Sequence, residues 1–247
     1  MKAILTYHSI DASGSVVSVH PDRFREHVEL LARQNVPVLS LDELLSPSCA
    51  RGVAITFDDG FENLASVAWP ILSAHGFPSV VFVVTDRVGA DNAWGPGDSG
   101  VPVLPLMDWT TLARLSSEGL AVESHGRTHA RLTTLSDIQL FDELAASREA
   151  IRERVGRRPS VFAYPYGDCD DRVARAVESA GYRCALTTEL RELEAEEPNP
   201  FRLPRLDAYY LAKPGIMERW DTAALQRYLR FRNGARRLRA RLKALAK

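Results

Sequence analysis

The 247-residue sequence is 45% apolar and 26% charged, a balance that suits one large α/β domain whose core needs no disulfide framework. Its three cysteines, Cys49, Cys169 and Cys184, form no C-x-x-C pair, which argues against a cysteine zinc site and fits a reducing compartment. The formal net charge of −1 makes nucleic acid an unlikely partner for the chain as a whole, although residues 219–247 hold ten Lys or Arg against one acid.

The chain opens on an apolar run at residues 3–7, too short for the core of a signal peptide, and reads Leu5-Thr6-Tyr7-His8 at its end. No stretch approaches the roughly 18–20 apolar residues of a membrane span, so cytoplasmic residence is the expectation. Residues 21–34 repeat Phe24, Val28, Leu31 and Ala32 at helical spacing, with Pro21 suited to a first helical turn. Short β-branched, nearly continuous apolar runs at 36–39, 53–57, 79–84, 120–123, 160–163 and 183–186 complete a set of seven expected strands. Helices are predicted between them at 65–75, 110–118, 136–155 and 171–180, each ending at a glycine stop signal. Residues 89–105, rich in Gly, Pro and Asp, read as a long loop of the kind that borders sites. After Pro214-Gly215 the pattern changes to two basic helices, 222–232 and 235–246, broken at Asn233-Gly234.

This alternation predicts β/α units around a parallel sheet, open or closed. With seven strands the expected fold is α/β, a distorted (β/α)7-type barrel with a short basic helical C-terminal extension. The division expected is a catalytic domain over 1–215 and a tail over 216–247.

Three segments carry chemistry. Thr56-Phe57-Asp58-Asp59-Gly60 places two carboxylates at the end of a strand, where α/β domains build their sites, though a plain Asp-Gly turn is the competing reading. Ser124-His125-Gly126-Arg127-Thr128-His129 follows another strand. Six histidines would produce an H-x-x-x-H pair by chance in only about one such sequence in seven. Two imidazoles and one carboxylate make a three-ligand metal site with an open position, and a second carboxylate alongside can act as a base. Phe162-Ala163-Tyr164-Pro165-Tyr166-Gly167 encodes a tight turn that either aims a backbone N–H at an oxyanion or is simply structural.

In this order and spacing, T-F-D-D-G, S-H-x-x-x-H and A-Y-P-Y-G resemble the polysaccharide deacetylase family (carbohydrate esterase family 4) over about residues 3–210. Met107-Asp108-Trp109, Arg131-Leu132 and the stretch from Gly181-Tyr182 through Thr188 add to the likeness. The resemblance implies a metal-dependent hydrolase that removes an N-acetyl group from an amino sugar or glycan and releases acetate. It implies Asp58 as general base, Asp59, His125 and His129 as metal ligands, and Tyr166 as backbone oxyanion donor. The sequence departs from many relatives in having no histidine after His129. Leu5-Thr6-Tyr7-His8 instead resembles the permuted branch that contains bacterial poly-N-acetylglucosamine deacetylases, which implies His8 as general acid. The arginine that pairs with the base in many relatives is also missing from the third segment, leaving Arg205 as the candidate for that charge.

The implied cofactor is a divalent metal, Zn2+ by donor type, although other metals accept the same ligands. Competing readings are the same metal chemistry on another amide or ester, and a carbohydrate-binding relative without catalysis. Leu238, Leu242 and Leu245 on the last helix suggest contact with an anionic membrane surface, or packing against the domain.

Overall fold

The computed structural model describes residues 1–94 and 101–245, with side chains through Arg236. Seven strands, β1 (Lys2–Tyr7), β2 (Gly52–Phe57), β3 (Ser79–Val83), β4 (Ala121–Ser124), β5 (Val161–Ala163), β6 (Cys184–Leu186) and β7 (Leu206–Asp207), form one sheet. Its order is β6-β5-β4-β3-β2-β1-β7, and every pairing is parallel. Parallel strands need coverage on both faces, and β2, Gly-Val-Ala-Ile-Thr-Phe, is buried at all six positions. Helices α1 (Pro21–Arg33), α2 (Leu41–Leu45), α3 (Trp69–Ala74), α4 (Trp109–Ser117), α5 (Asp137–Val155), α6 (Asp171–Ser179) and the single turn α7 (Ala208–Leu211) supply much of that cover. Tyr7 at the end of β1 stacks on Phe57 and shares a hydrogen bond with the buried His27 of α1 (3.0 Å), so His27 belongs to the packing.

The sheet curls into a half-barrel because one short segment reaches both of its edges. Leu203 donates its N–H to Ala185 of β6 (2.9 Å) and accepts from Thr187 (2.8 Å). Three residues later Leu206 and Asp207 pair with Leu5 and Thr6 of β1. Pro204 and Arg205 lie in this seam, and both are buried.

Four expectations are corrected. Residues 36–39 are not a strand. Pro37 has no N–H to give a ladder, and only Val38 bridges to Val53, flanked by Leu39 N–H to Val53 O and Val53 N–H to Pro37 O (both 2.8 Å). The seventh strand is β7, which the sequence pattern did not reveal. The helix expected at 65–75 opens with a π-helical turn, Leu64–Ala68, before α3, because Pro70 removes one backbone donor and its ring needs room. The tail does not break at Asn233-Gly234 but forms a single helix, α8 (Ala223–Leu245). Neither residue takes the positive φ of a turn, and a helical glycine costs only about 1 kcal/mol. Met217, Trp220, Leu225 and Leu229 are buried in the same apolar cluster as β1 and β2, which anchors the start of α8. The side chains of Leu238, Leu242 and Leu245 lie outside the described residues. Among those described, no helix is long and apolar enough to cross a membrane.

Candidate active site

The C-terminal rim of the sheet gathers the residues singled out in the sequence. His8 follows β1, Asp58 and Asp59 follow β2, His125 follows β4, and Tyr164 and Tyr166 follow β5. All of them line one cavity of about 520 Å³, together with His129, Trp94 and Thr188.

Asp59, His125 and His129 each offer one ligand atom, and these atoms lie within 4.8 Å of one another. His125 Nε2 is 3.5 Å and His129 Nε2 3.4 Å from Asp59 Oδ1. His125 Nδ1 lies 2.7 Å from the carbonyl of Ala163, which can only accept, so Nδ1 carries the proton. In the neutral ring Nε2 then turns a lone pair toward Asp59, and burial, the dominant cause, pushes the His125 pKa down to about 4. Asp59 Oδ1 is buried with no hydrogen-bond partner. A buried carboxylate oxygen facing an imidazole lone pair is an arrangement that a cation relieves, and the N₂O donor set fits a divalent ion with an open position.

The backbone at this rim is strained where the ligands sit. Asp59 (φ 71°), His129 (φ 64°) and Tyr166 (φ 61°) are three of the five non-glycine residues with positive φ among those described. Such conformations cost about 1–3 kcal/mol each and persist where surrounding packing imposes them.

Some of that packing comes from Glu143, which projects from α5 into the loop between the two histidines. Its Oε2 accepts the N–H groups of Arg127 (2.8 Å) and Thr128 (3.0 Å), and its Oε1 accepts from the Thr128 hydroxyl. Gly126, at φ 82°, is needed there, since a Cβ would sit 3.1 Å from Glu143 Oε2. Sequence reasoning missed Glu143. The available signal was an acid on the apolar stripe of α5, beside Leu140, Leu144 and Ile151.

Asp58 has a different environment from its neighbour. Arg205, only 2% exposed, donates Nη1 to Oδ1 and Nη2 to Oδ2, both at 2.7 Å, and donates Nε to the carbonyl of Thr187 at 3.0 Å. Burial alone would raise the Asp58 pKa. The Arg205 charge outweighs it, with smaller help from His125 and His8, and holds the carboxyl well below its ordinary range. His8 Nε2 lies 3.8 Å from Asp58 Oδ2, with the His8 side chain 23% exposed toward the cavity.

The third segment forms a 3-10 turn, Pro165–Gly167, closed by hydrogen bonds from Gly167 N–H to Tyr164 O and from Asp168 N–H to Pro165 O. A Cβ on Gly167 would meet Thr188 Oγ1 at 2.2 Å, so only glycine lets the turn seat against the strand end after β6. The Tyr166 ring packs edge-on against His129 at 4.5 Å and carries the Arg131 guanidinium 4.3 Å from its centroid. Trp94, from the predicted long loop, also approaches the His129 ring, to 4.3 Å between centroids. That loop is tied down by Asn92, which accepts from Leu104 N–H (2.7 Å) and donates to Pro102 O (3.0 Å).

The chain is similar to known proteins in sequence and in fold. The family model described as polysaccharide deacetylase matches residues 46–185. The chain is 26% identical over 195 residues to YxkH of Bacillus subtilis (strain 168), covering 75% of this chain but only 64% of that protein. It is 23% identical over 210 residues to the poly-beta-1,6-N-acetyl-D-glucosamine N-deacetylase of Staphylococcus aureus (strain MSSA476), covering 83% of this chain and 72% of the relative. Among solved structures, the Streptococcus pyogenes deacetylase PplD superposes with a TM-score of 0.71 at 20% identity, over 83% of this chain and 91% of that one. IcaB from Ammonifex degensii gives 0.71 at 20% identity, over 84% and 93%. Both structural likenesses concern the fold.

Proposed function

The chain belongs to the polysaccharide deacetylase family, and on that premise we propose that it is a metal-dependent hydrolase that removes the N-acetyl group of an amino sugar or glycan and releases acetate. The observation that carries the reading is the pairing of two adjacent buried carboxylates with opposite surroundings. Asp59 faces two imidazoles with an unbonded oxygen, while Asp58 is held ionised beside them.

Asp59, His125 and His129 would hold the ion, for which Zn2+ is the candidate by donor type. A divalent cation held there supplies positive charge that polarises the acetamide carbonyl and acidifies water. Asp58 accepts the proton of the attacking water, its geometry fixed by the two-pronged grip of Arg205. Tyr166 lines the same cavity, and its backbone N–H is the proposed donor to the charge that develops on the acetyl oxygen. His8, 3.8 Å from Asp58, donates a proton to the departing nitrogen as the C–N bond breaks. Water and amide are consumed; acetate and free amine result.

The test is acetate release from a panel of neutral, nucleotide-linked and lipid-linked N-acetyl sugars, before and after chelation. Release that is lost on chelation and restored by added Zn2+ or another divalent ion supports the reading. Absence of release from every N-acetyl sugar in the metal-loaded protein defeats it. Turnover of a different amide or ester alone would transfer the same site to another substrate class.

A further inference from the structure

Beside the catalytic cavity lies a second cleft of about 370 Å³ that the reaction above does not use. Gly167, Thr188, Glu189 and Arg202 line it, together with Asn233 and Arg236 of α8. Thr188 lines both spaces, so they meet at the turn that carries Tyr166.

Two arginines from distant parts of the chain line this cleft, and each keeps one guanidinium nitrogen without a hydrogen-bond partner. Arg202 commits Nη2 to Asp171 (2.8 Å), and its Nε is buried without a hydrogen-bond partner. Arg236 lies over the Tyr210 ring at 5.5 Å, and its Nη1 is likewise buried and unpartnered. Glu189 also lines the cleft, but it accepts from Arg191 Nε at 3.2 Å, so its charge is met in part by that arginine. Arg131 adds a third cation on the catalytic side of the dividing turn. A buried N–H without an acceptor is costly, and a charged acceptor relieves it most strongly. Two arginines approaching from separate elements suit a tetrahedral group with acceptors on several faces better than a single planar carboxylate.

We propose that this cleft binds the phosphate of a phosphate-linked N-acetyl amino sugar whose acetamido group occupies the adjoining catalytic cavity. The inference rests on the deacetylase reading and narrows its substrate to sugars carried on a phosphate or diphosphate. It also gives the basic helix α8 a task at the active-site rim.

The test uses the full-length, metal-loaded protein with three substrates. These are a neutral N-acetylglucosamine oligosaccharide, a nucleoside-diphosphate-linked N-acetylglucosamine, and a polyprenyl-diphosphate-linked N-acetylglucosamine in detergent. A kcat/KM about tenfold or more higher on a diphosphate-linked sugar than on the neutral one is expected, with the gain in KM. Preference for both carriers assigns recognition to the diphosphate itself, and preference for the lipid-linked sugar alone assigns it to a membrane carrier. Arg236→Ala should lower the anionic-to-neutral ratio about tenfold, and Arg236→Lys should recover part of it. Equal kcat/KM on neutral and diphosphate-linked sugars, with the ratio unmoved in Arg236→Ala, overturns the proposal. Binding of inorganic sulfate, a tetrahedral dianion, reads the cleft without catalysis. Saturable binding that weakens in Arg236→Ala supports the site even if no sugar is deacetylated, in which case only the deacetylase reading fails. Failure to bind sulfate overturns the site even if neutral glycans are turned over.

Discussion

Asp58 and Asp59 on the rim and Glu123 within β4 are all largely buried carboxyls, yet their surroundings drive them in opposite directions. On the rim, burial is outweighed by Arg205 at Asp58 and by His129 at Asp59, and both pKa values fall. Two residues before His125, Glu123 has no paired cation, and the weak pull of the Arg148 charge does not offset its burial. Its Oε2 accepts the N–H groups of Ser160 and Val161, both at 2.7 Å, where β5 begins, and burial raises its pKa to about 7. The same side-chain chemistry therefore serves as charge in one place and as a backbone clamp in the other. What differs is whether the tertiary structure brings a cation.

Four changes test that contrast. Removing the rim charge should have the largest effect: Asp58→Asn is expected to cut acetate release by about 10²–10⁴-fold while metal binding persists. Loss of metal binding in step with activity would move Asp58 into the ligand set. Removing its cation comes next. Arg205→Ala leaves a buried carboxylate unpaired and should lower unfolding free energy by about 3–5 kcal/mol in urea titration. A loss below about 1 kcal/mol would mean that water reaches Asp58 and that the pairing matters little to the fold.

Glu143 sharpens the comparison, because its carboxylate clamps backbone as Glu123 does, but in the loop that presents the metal ligands. Glu143→Ala should weaken Zn2+ affinity about 10–100-fold, read by competition with a chelating dye. Unchanged affinity would reduce its role to packing.

Glu123 leaves the chemistry untouched, and its effect is visible only in the pH dependence of stability. An unfolded glutamate releases its proton near 4.5 and the folded one near 7, so the folded state binds more protons between those values. Stability from this group is full below about pH 4.5 and is lost as pH rises through about 7, by about 3 kcal/mol at most. Glu123→Gln should flatten that part of the curve between pH 5 and 8 in urea titrations. A variant that keeps the full wild-type slope would place its origin in other groups.

The fold and the site were legible to different depths. Six of the seven strands could be read because a strand buried on both faces must be written as a short apolar run, as in Val53-Ala54-Ile55. The Asp58-Asp59 and His125-x3-His129 segments were legible because adjacent or closely spaced ligands leave a local mark. β7 left none, being two residues long after Pro204. Glu143 and Trp94 were equally hidden, since their roles depend on elements that meet only in the folded chain.

Arg205 marks the boundary between the two kinds of information. Its sequence neighbourhood, Arg202-Leu203-Pro204-Arg205-Leu206, is that of an ordinary surface basic segment. Only the closing of the sheet, with Leu203 bonded to β6 and Leu206 paired with β1, carries it inward to Asp58, 147 positions away. Local sequence determined which groups could bind a metal or move a proton, because those properties belong to individual side chains. Tertiary structure decided which carboxylate would hold a cation and which would be held by one, because a buried charge takes its character from the partners that long-range packing brings to it.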